Sequence, residues 1–191
     1  MAKIGLNNFR YSKLTESETG TATYAGAKKP ARAVSCKVSV STSSASLYAD
    51  DVLAESDTSF NNGTVTIGID EEDNATMADL LGHTLAEEGG EMVRNANDVA
   101  PYVGLGRVIV KMVNGVRKYK VEFLCKVKFS EPSQDDKTKG ENVEFTTSEL
   151  EGTVSTLADG TWSKTKTCDT QADAIKYLEG LMAAPGTVSG H

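Results

Sequence analysis

Aromatic residues make up only 6% of this chain of 191 residues, which has one tryptophan, two histidines, four prolines and three cysteines. Each scarcity removes a class of function. Cys36, Cys125 and Cys168 are odd in number, far apart, and without a CxxC pair or flanking histidines, so neither a disulfide framework nor a zinc site is expected. They read as reduced core residues. A sugar-binding face needs clustered aromatics for stacking, and here most of them fall on expected core faces. No run of about 18 apolar residues occurs, and the opening "MAKIGLNNFRYSKL" lacks the apolar stretch of a signal peptide. The expectation is a soluble protein made in a cytoplasm, without membrane insertion.

What the chain does have is charge in blocks. The net charge is -7, which disfavours nonspecific attraction to nucleic acid. Residues 1–50 carry seven positive and three negative charges, residues 51–100 one and twelve, residues 101–130 seven and one, and the remainder five and eleven. The blocks alternate in sign.

Hydrophobic alternation supplies the strands. In "RAVSCKVSVST", 32–42, Val34, Cys36, Val38 and Val40 share one face, the period of a half-buried strand. "TVTIGID", 64–70, is a second strand, led in by the turn residues Asn61, Asn62 and Gly63. "DEEDNATMADLLGH" predicts a short helix with Asp73 or Asn74 as N-cap and Gly82 past its end. "TQADAIKYLEGLM" predicts another: Thr170 and Asp173 form a capping box, and Ala174, Ile175, Leu178, Leu181 and Met182 share a face that packs on the sheet.

The strongest local signal is Asn114-Gly115, because a type I' turn needs positive φ at both central residues. A two-residue turn there pairs Val113 with Val116, Met112 with Arg117, Lys111 with Lys118, Val110 with Tyr119, Ile109 with Lys120, Val108 with Val121 and Arg107 with Glu122. One face of this long hairpin is apolar, from Val108, Val110 and Met112 to Tyr119, Val121, Phe123, Cys125, Val127 and Phe129. The other is basic. Asp159-Gly160 predicts a second hairpin turn before "TWSKTKT".

These elements make a mainly β chain: an antiparallel β-sandwich or barrel with one or two short flanking helices. Residues 1–32 read as an N-terminal arm or edge segment, 33–184 as the domain and 185–191 as a flexible tail. The polar stretches 86–100 and 130–142 are longer than a compact monomer needs.

Signals for chemistry are thin. His83 directly follows the helix-ending Gly82 and has no nucleophile context around it. "GLGRVI" at 104–109 runs into a strand where a dinucleotide fingerprint needs a helix. "DEEDNATMADLL" lacks the glycine and glutamate that a calcium loop requires at its sixth and twelfth positions. No catalytic residue, cofactor or metal is assigned, and an enzyme is not expected.

The order of "AVSCKVSV", "EEDNATMADLLGH", "NDVAPYVGLG", the basic hairpin, "FSEP" and "SELEGTV" resembles the major tail protein, or tail tube protein, family of long-tailed phages infecting Gram-positive bacteria. The similarity runs from about residue 3 to 184, and "NDVAPYVGLG" and "KFSEPSQ" are its most specific parts. The closing "GTVSGH" lies outside the pattern.

The resemblance implies a structural virion protein of the siphophage tail. Hexameric rings would stack into a hollow tube for genome delivery, with neighbouring sheets continuous around the lumen and arms and a long hairpin bridging rings. Its implied partners are further copies of itself, the tape measure protein, the tail terminator and the distal tail protein, while DNA passes without specific binding. Alternating charge blocks suit such head-to-tail contacts. Candidate inter-subunit contacts are Lys111, Lys118 and Lys120 on one side, and Asp70, Glu71, Glu72, Asp73, Glu87, Glu88 and Glu91 on the other. The same basic face could instead sit in water beside acidic loops of its own subunit. The competing function is a monomeric β-sandwich module for adhesion or carbohydrate recognition.

Overall fold

In a computed structural model of the chain, Asn114 and Gly115 both adopt positive φ, 49° and 79°, as a two-residue I' turn demands. The described residues are 2–30, 33–49, 52–69, 73–86, 90–133 and 148–183. They form strands β1 (Ala2–Glu16), β2 (Ala22–Tyr24), β3 (Ala33–Ala49) and β4 (Val52–Ile69), then helix α1 (Asn74–Leu81) and the short β5 (Thr84–Leu85) and β6 (Met92–Val93). β7 (Tyr102–Val113), β8 (Val116–Phe129), β9 (Ser148–Ser155), β10 (Ser163–Cys168) and helix α2 (Gln171–Leu181) follow. The chain is mainly β, with one large antiparallel sheet and short helices, as its alternation implies.

The large sheet has the order β2-β1-β7-β8-β9-β4-β3, with β10 also paired to β8. All seven residue pairs expected from the Asn-Gly turn occur, from Val113↔Val116 to Arg107↔Glu122. Beyond them the register slips: Leu105 faces Leu124 but Val103 faces Val127, so Cys125 and Lys126 both stand opposite Gly104. This bulge inverts the faces of β8. Val121, Phe123 and Cys125 join a core under α2, whereas Leu124, Val127 and Phe129 join a second core under α1. The single apolar face expected for β8 is therefore two half-faces. Gly104 is required at the crossover, since a Cβ there would lie 2.5 Å from Tyr24 and 2.6 Å from Phe123.

The core under α1 holds Phe9 and Tyr11 from β1 together with Val65, Ile67 and Ile69 from β4. Strands from both ends of the sheet thus meet around one core, and the sheet must curl for them to do so. Arg107 of β7 donates from Nη1 to the carbonyl of Cys36 in β3 across 2.8 Å, which ties the curl. Each large side chain taken fully out of water in these cores contributes about 1.5–3 kcal/mol.

Both helices form where expected. Asp73 caps α1 by accepting from the Thr76 amide at 3.1 Å, and Gly82 ends it with a left-handed φ of 81°. Thr170 and Asp173 form the reciprocal cap of α2, and Ala174, Leu178 and Met182 are buried against the sheet.

Four details differ from expectation. Residues 1–32, expected as an arm or edge segment outside a domain that starts at 33, include β1, which pairs with β7 over most of its length and adds Phe9 and Tyr11 to the core. Asn61, Asn62 and Gly63 do not turn the chain; β4 runs through them with a register shift opposite Ser41 and Thr42. Asp159-Gly160 does make a turn, closed by Gly160 N donating to Leu157 O at 2.9 Å, but it joins no hairpin. β9 and β10 both run antiparallel to β8 and occupy successive parts of its edge, so the turn is a loop between collinear strands. Finally, Val34 and Val40 are 58% and 45% exposed, because β3 lies at the sheet edge.

Candidate assembly surfaces

Lys111, Lys118 and Lys120 share the face of β7 and β8 opposite to that of Val108, Val121 and Phe123, which pack under α2. Lys118 forms an ion pair with Asp169 just past β10, and Lys120 lies 3.5 Å from Glu122. Glu122 also accepts from Arg107 Nε at 2.8 Å. Burial opposes ionisation of Glu122, but the Arg107 guanidinium and the Lys120 ammonium outweigh it and hold the carboxyl below its ordinary range. Two of the three candidate lysines therefore already have acidic partners in their own chain.

Lys111 differs. It faces Lys118 across the hairpin and is in register with Lys3 of β1 on its other side, and among the described residues it has no ion-pair partner. Like charges in opposed positions cost up to about 1 kcal/mol. Among the described residues, Lys111 is the candidate lysine without an acidic partner.

On the acidic side, Asp73 is engaged in capping: besides the Thr76 amide it accepts from Thr76 Oγ1 at 2.9 Å. Glu91 is exposed, in the turn where the Ala86 amide donates to its carbonyl at 2.8 Å. Asp70, Glu71, Glu72, Glu87 and Glu88 lie outside the described residues.

The larger surface feature is a ribbon that charge patterning did not suggest. β4 pairs with β9 only from Gly63 to Ile69, yet β3 and β4 continue to pair with each other from Ser41↔Asn62 to Ala49↔Val52. At a rise of about 3.3 Å per residue, the two-stranded part is about 30 Å long. At its base Phe60 stacks on Trp162, with ring centroids 4.9 Å apart and planes 8° from parallel. Beyond β9 the ribbon has no strand beside it among the described residues.

Two polar clusters brace α1. Asp79 accepts from Tyr11 Oη at 3.0 Å and pairs with Lys13 at 2.6 Å and Lys28 at 2.7 Å. Burial works against its charge, but these three donors prevail and hold its carboxyl below the ordinary value. His83 sits between Asp98 and Glu131, bonded through both ring nitrogens. It was legible only as a polar residue at a helix end, because its partners are 15 and 48 residues away and no spacing announces them.

Among the described residues no group of three or more His, Cys, Asp or Glu side chains is arranged to hold a metal ion. Nor, among the described residues, is any helix long and apolar enough to cross a membrane. Comparison with protein-family models and with curated proteins returns no match.

Proposed function

We propose that this chain is a tail tube protein, whose copies close into hexameric rings that stack into the hollow tube of a phage tail. The observation that carries the reading is the projecting ribbon of β3 and β4. An isolated two-stranded ribbon is marginally stable in water. One that extends nine register pairs past its neighbours, with small polar residues such as Ser41, Thr42, Ser43 and Ser44 exposed along it, is suited to lie against another copy.

Open sheet edges add support. β3 at one end of the sheet is 17 residues long, and toward the other end β1 is covered by β2 and the segment after it from Tyr11 to Glu16, which leaves its outer edge from Ala2 to Arg10 without a paired strand among the described residues. Natural monomers blunt such edges, since unpaired backbone groups invite a further strand. Here the exposed Val34 and Val40 leave the β3 edge attractive to a partner sheet.

Lys111 supplies a register element. Its complement in an adjacent copy is the acidic block of Asp70, Glu71, Glu72, Glu87, Glu88 and Glu91, with Asp73 set aside because its carboxylate caps α1. Lys118 and Lys120 contribute less, as their charges are partly matched within the chain. In the assembled tail the tape measure protein would fill the lumen, and the terminator and distal tail proteins would meet the ends.

The test is negative-stain electron microscopy of the purified protein over a range of concentration and salt. Rings or tubes support the reading, and their loss in a Lys111→Glu, Lys118→Glu double variant of unchanged thermal stability supports the charged contact. Persistent monomers at high concentration, including in the presence of a tail-tip initiator complex, favour the adhesion or carbohydrate module instead.

A further inference from the structure

His83 follows the left-handed residue that ends α1, and its imidazole is only 5% exposed. Nδ1 lies 2.7 Å from Asp98 Oδ2, and Nε2 meets Glu131 Oε1 on the opposite side of the ring. An ionised carboxylate can only accept, so an imidazole bonded to two of them must donate from both nitrogens. That is the imidazolium form.

The two carboxylates are held unequally. Asp98 Oδ2 also accepts from the Asn95 amide at 2.8 Å, and the Asp98 amide donates to Asn95 O at 3.0 Å, so its turn is fixed without the histidine. Glu131 is 51% exposed, and among the described residues its carboxylate has His83 as its partner. It belongs to the segment that leaves β8.

We propose that His83, Asp98 and Glu131 form a proton-operated latch: the imidazolium ties the segment after β8 to the end of α1, and loss of one proton releases Glu131 while Asp98 stays bound. In the neutral tautomer Nδ1–H still donates to Asp98, whereas the Nε2 lone pair turns toward a carboxylate oxygen. The contact changes from attraction to repulsion.

Other charges share the groove. Lys13 from β1, Lys28 and Lys29 from the segment after β2, and Asp79 from α1 line it together with His83. The lysines oppose a charged imidazole, but Lys13 and Lys28 are paired to Asp79. The bond to Asp98 raises the imidazole pKa above 6.5; burial opposes this and the bond to Glu131 reinforces it. A raised folded pKa means that the latch contributes fully below the unfolded value and is lost as pH rises through the folded one.

The experiment is an NMR titration of the full-length monomer from about pH 5.5 to about pH 8.5, following the His83 ring and the Glu131 and Asp98 carboxyl carbons. The expected result is a His83 midpoint above 6.5, with the Glu131 resonance following the same midpoint and that of Asp98 moving less. Glu131→Gln, a change at an exposed side chain, should lower the midpoint; Asp98→Asn should lower it further. A midpoint at or below 6.5, or a Glu131 resonance that ignores it, overturns the latch. Either result is independent of whether the protein forms tubes.

Discussion

The two long hairpins of this molecule have similar lengths and opposite fates. β7 and β8, of 12 and 14 residues, are flanked by β1 on one side and by β9 and β10 on the other, and both their faces meet apolar cores. β3 and β4, of 17 and 18 residues, are flanked by β9 alone, and only as far as Gly63. Both sequences alternate. What separates them is the set of neighbours, since a strand face is dry only where another layer covers it, and a ladder edge is satisfied only where another strand or water meets it.

The contrast can be broken most severely from the buried side. Phe123 is fully buried between β7, α2 and Tyr24, whose ring it meets edge-on at 5.2 Å. Phe123→Ala should cost about 3–5 kcal/mol in urea unfolding. Gly106 is next. A Cβ there would lie 2.2 Å from Leu178 and 2.9 Å from Met182, so Gly106→Ala should push α2 off the sheet and cost about 1–3 kcal/mol. Thr170→Ala removes the acceptor for the Asp173 amide and should cost about 1 kcal/mol, measured the same way.

On the ribbon the same class of change should hardly register. Thr42 is exposed and, among the described residues, has no strand beyond β3 and β4 beside it, so Thr42→Ala should alter monomer stability by less than about 0.5 kcal/mol. A larger loss would mean that the ribbon folds back against its own chain. The contrast also sharpens with pH. Asp79, held below its ordinary carboxyl value by Lys13, Lys28 and Tyr11 against the opposing effect of burial, contributes stability that is present above the unfolded value of 3.8 and lost as pH falls through the folded one. Acid should therefore loosen α1 and β1 before the core under α2, which amide exchange resolved by residue would report.

Much of the framework was legible. Asn114-Gly115 specified a turn and through it seven residue pairs; Asp73 or Asn74 with Gly82 bounded α1, and Thr170 with Asp173 marked the start of α2. These signals are local, because a turn or a cap is satisfied by residues within about four positions of one another. The bulge at Gly104 was not legible: it depends on the room that Tyr24 and Phe123 leave, which no alternation reports. For the same reason Val127 and Phe129 were assigned to the face of Val121, and Asp159-Gly160 to a hairpin whose strands never pair.

The candidate surfaces divide in the same way. The basic face was readable as composition, but which of its lysines find an acidic partner among the described residues depended on where Asp169 and Glu122 came to rest. The sequence by itself determined the elements, the hairpin register and the blocks of charge, because those follow from side-chain period and turn stereochemistry. The tertiary structure alone decided which strands became edges, where β8 changes face, that β3 and β4 outrun the sheet, and that His83 is held by two distant carboxylates. Each of those outcomes is a contact between segments far apart in the chain, whose energy exists only once the sheet has curled to bring them together.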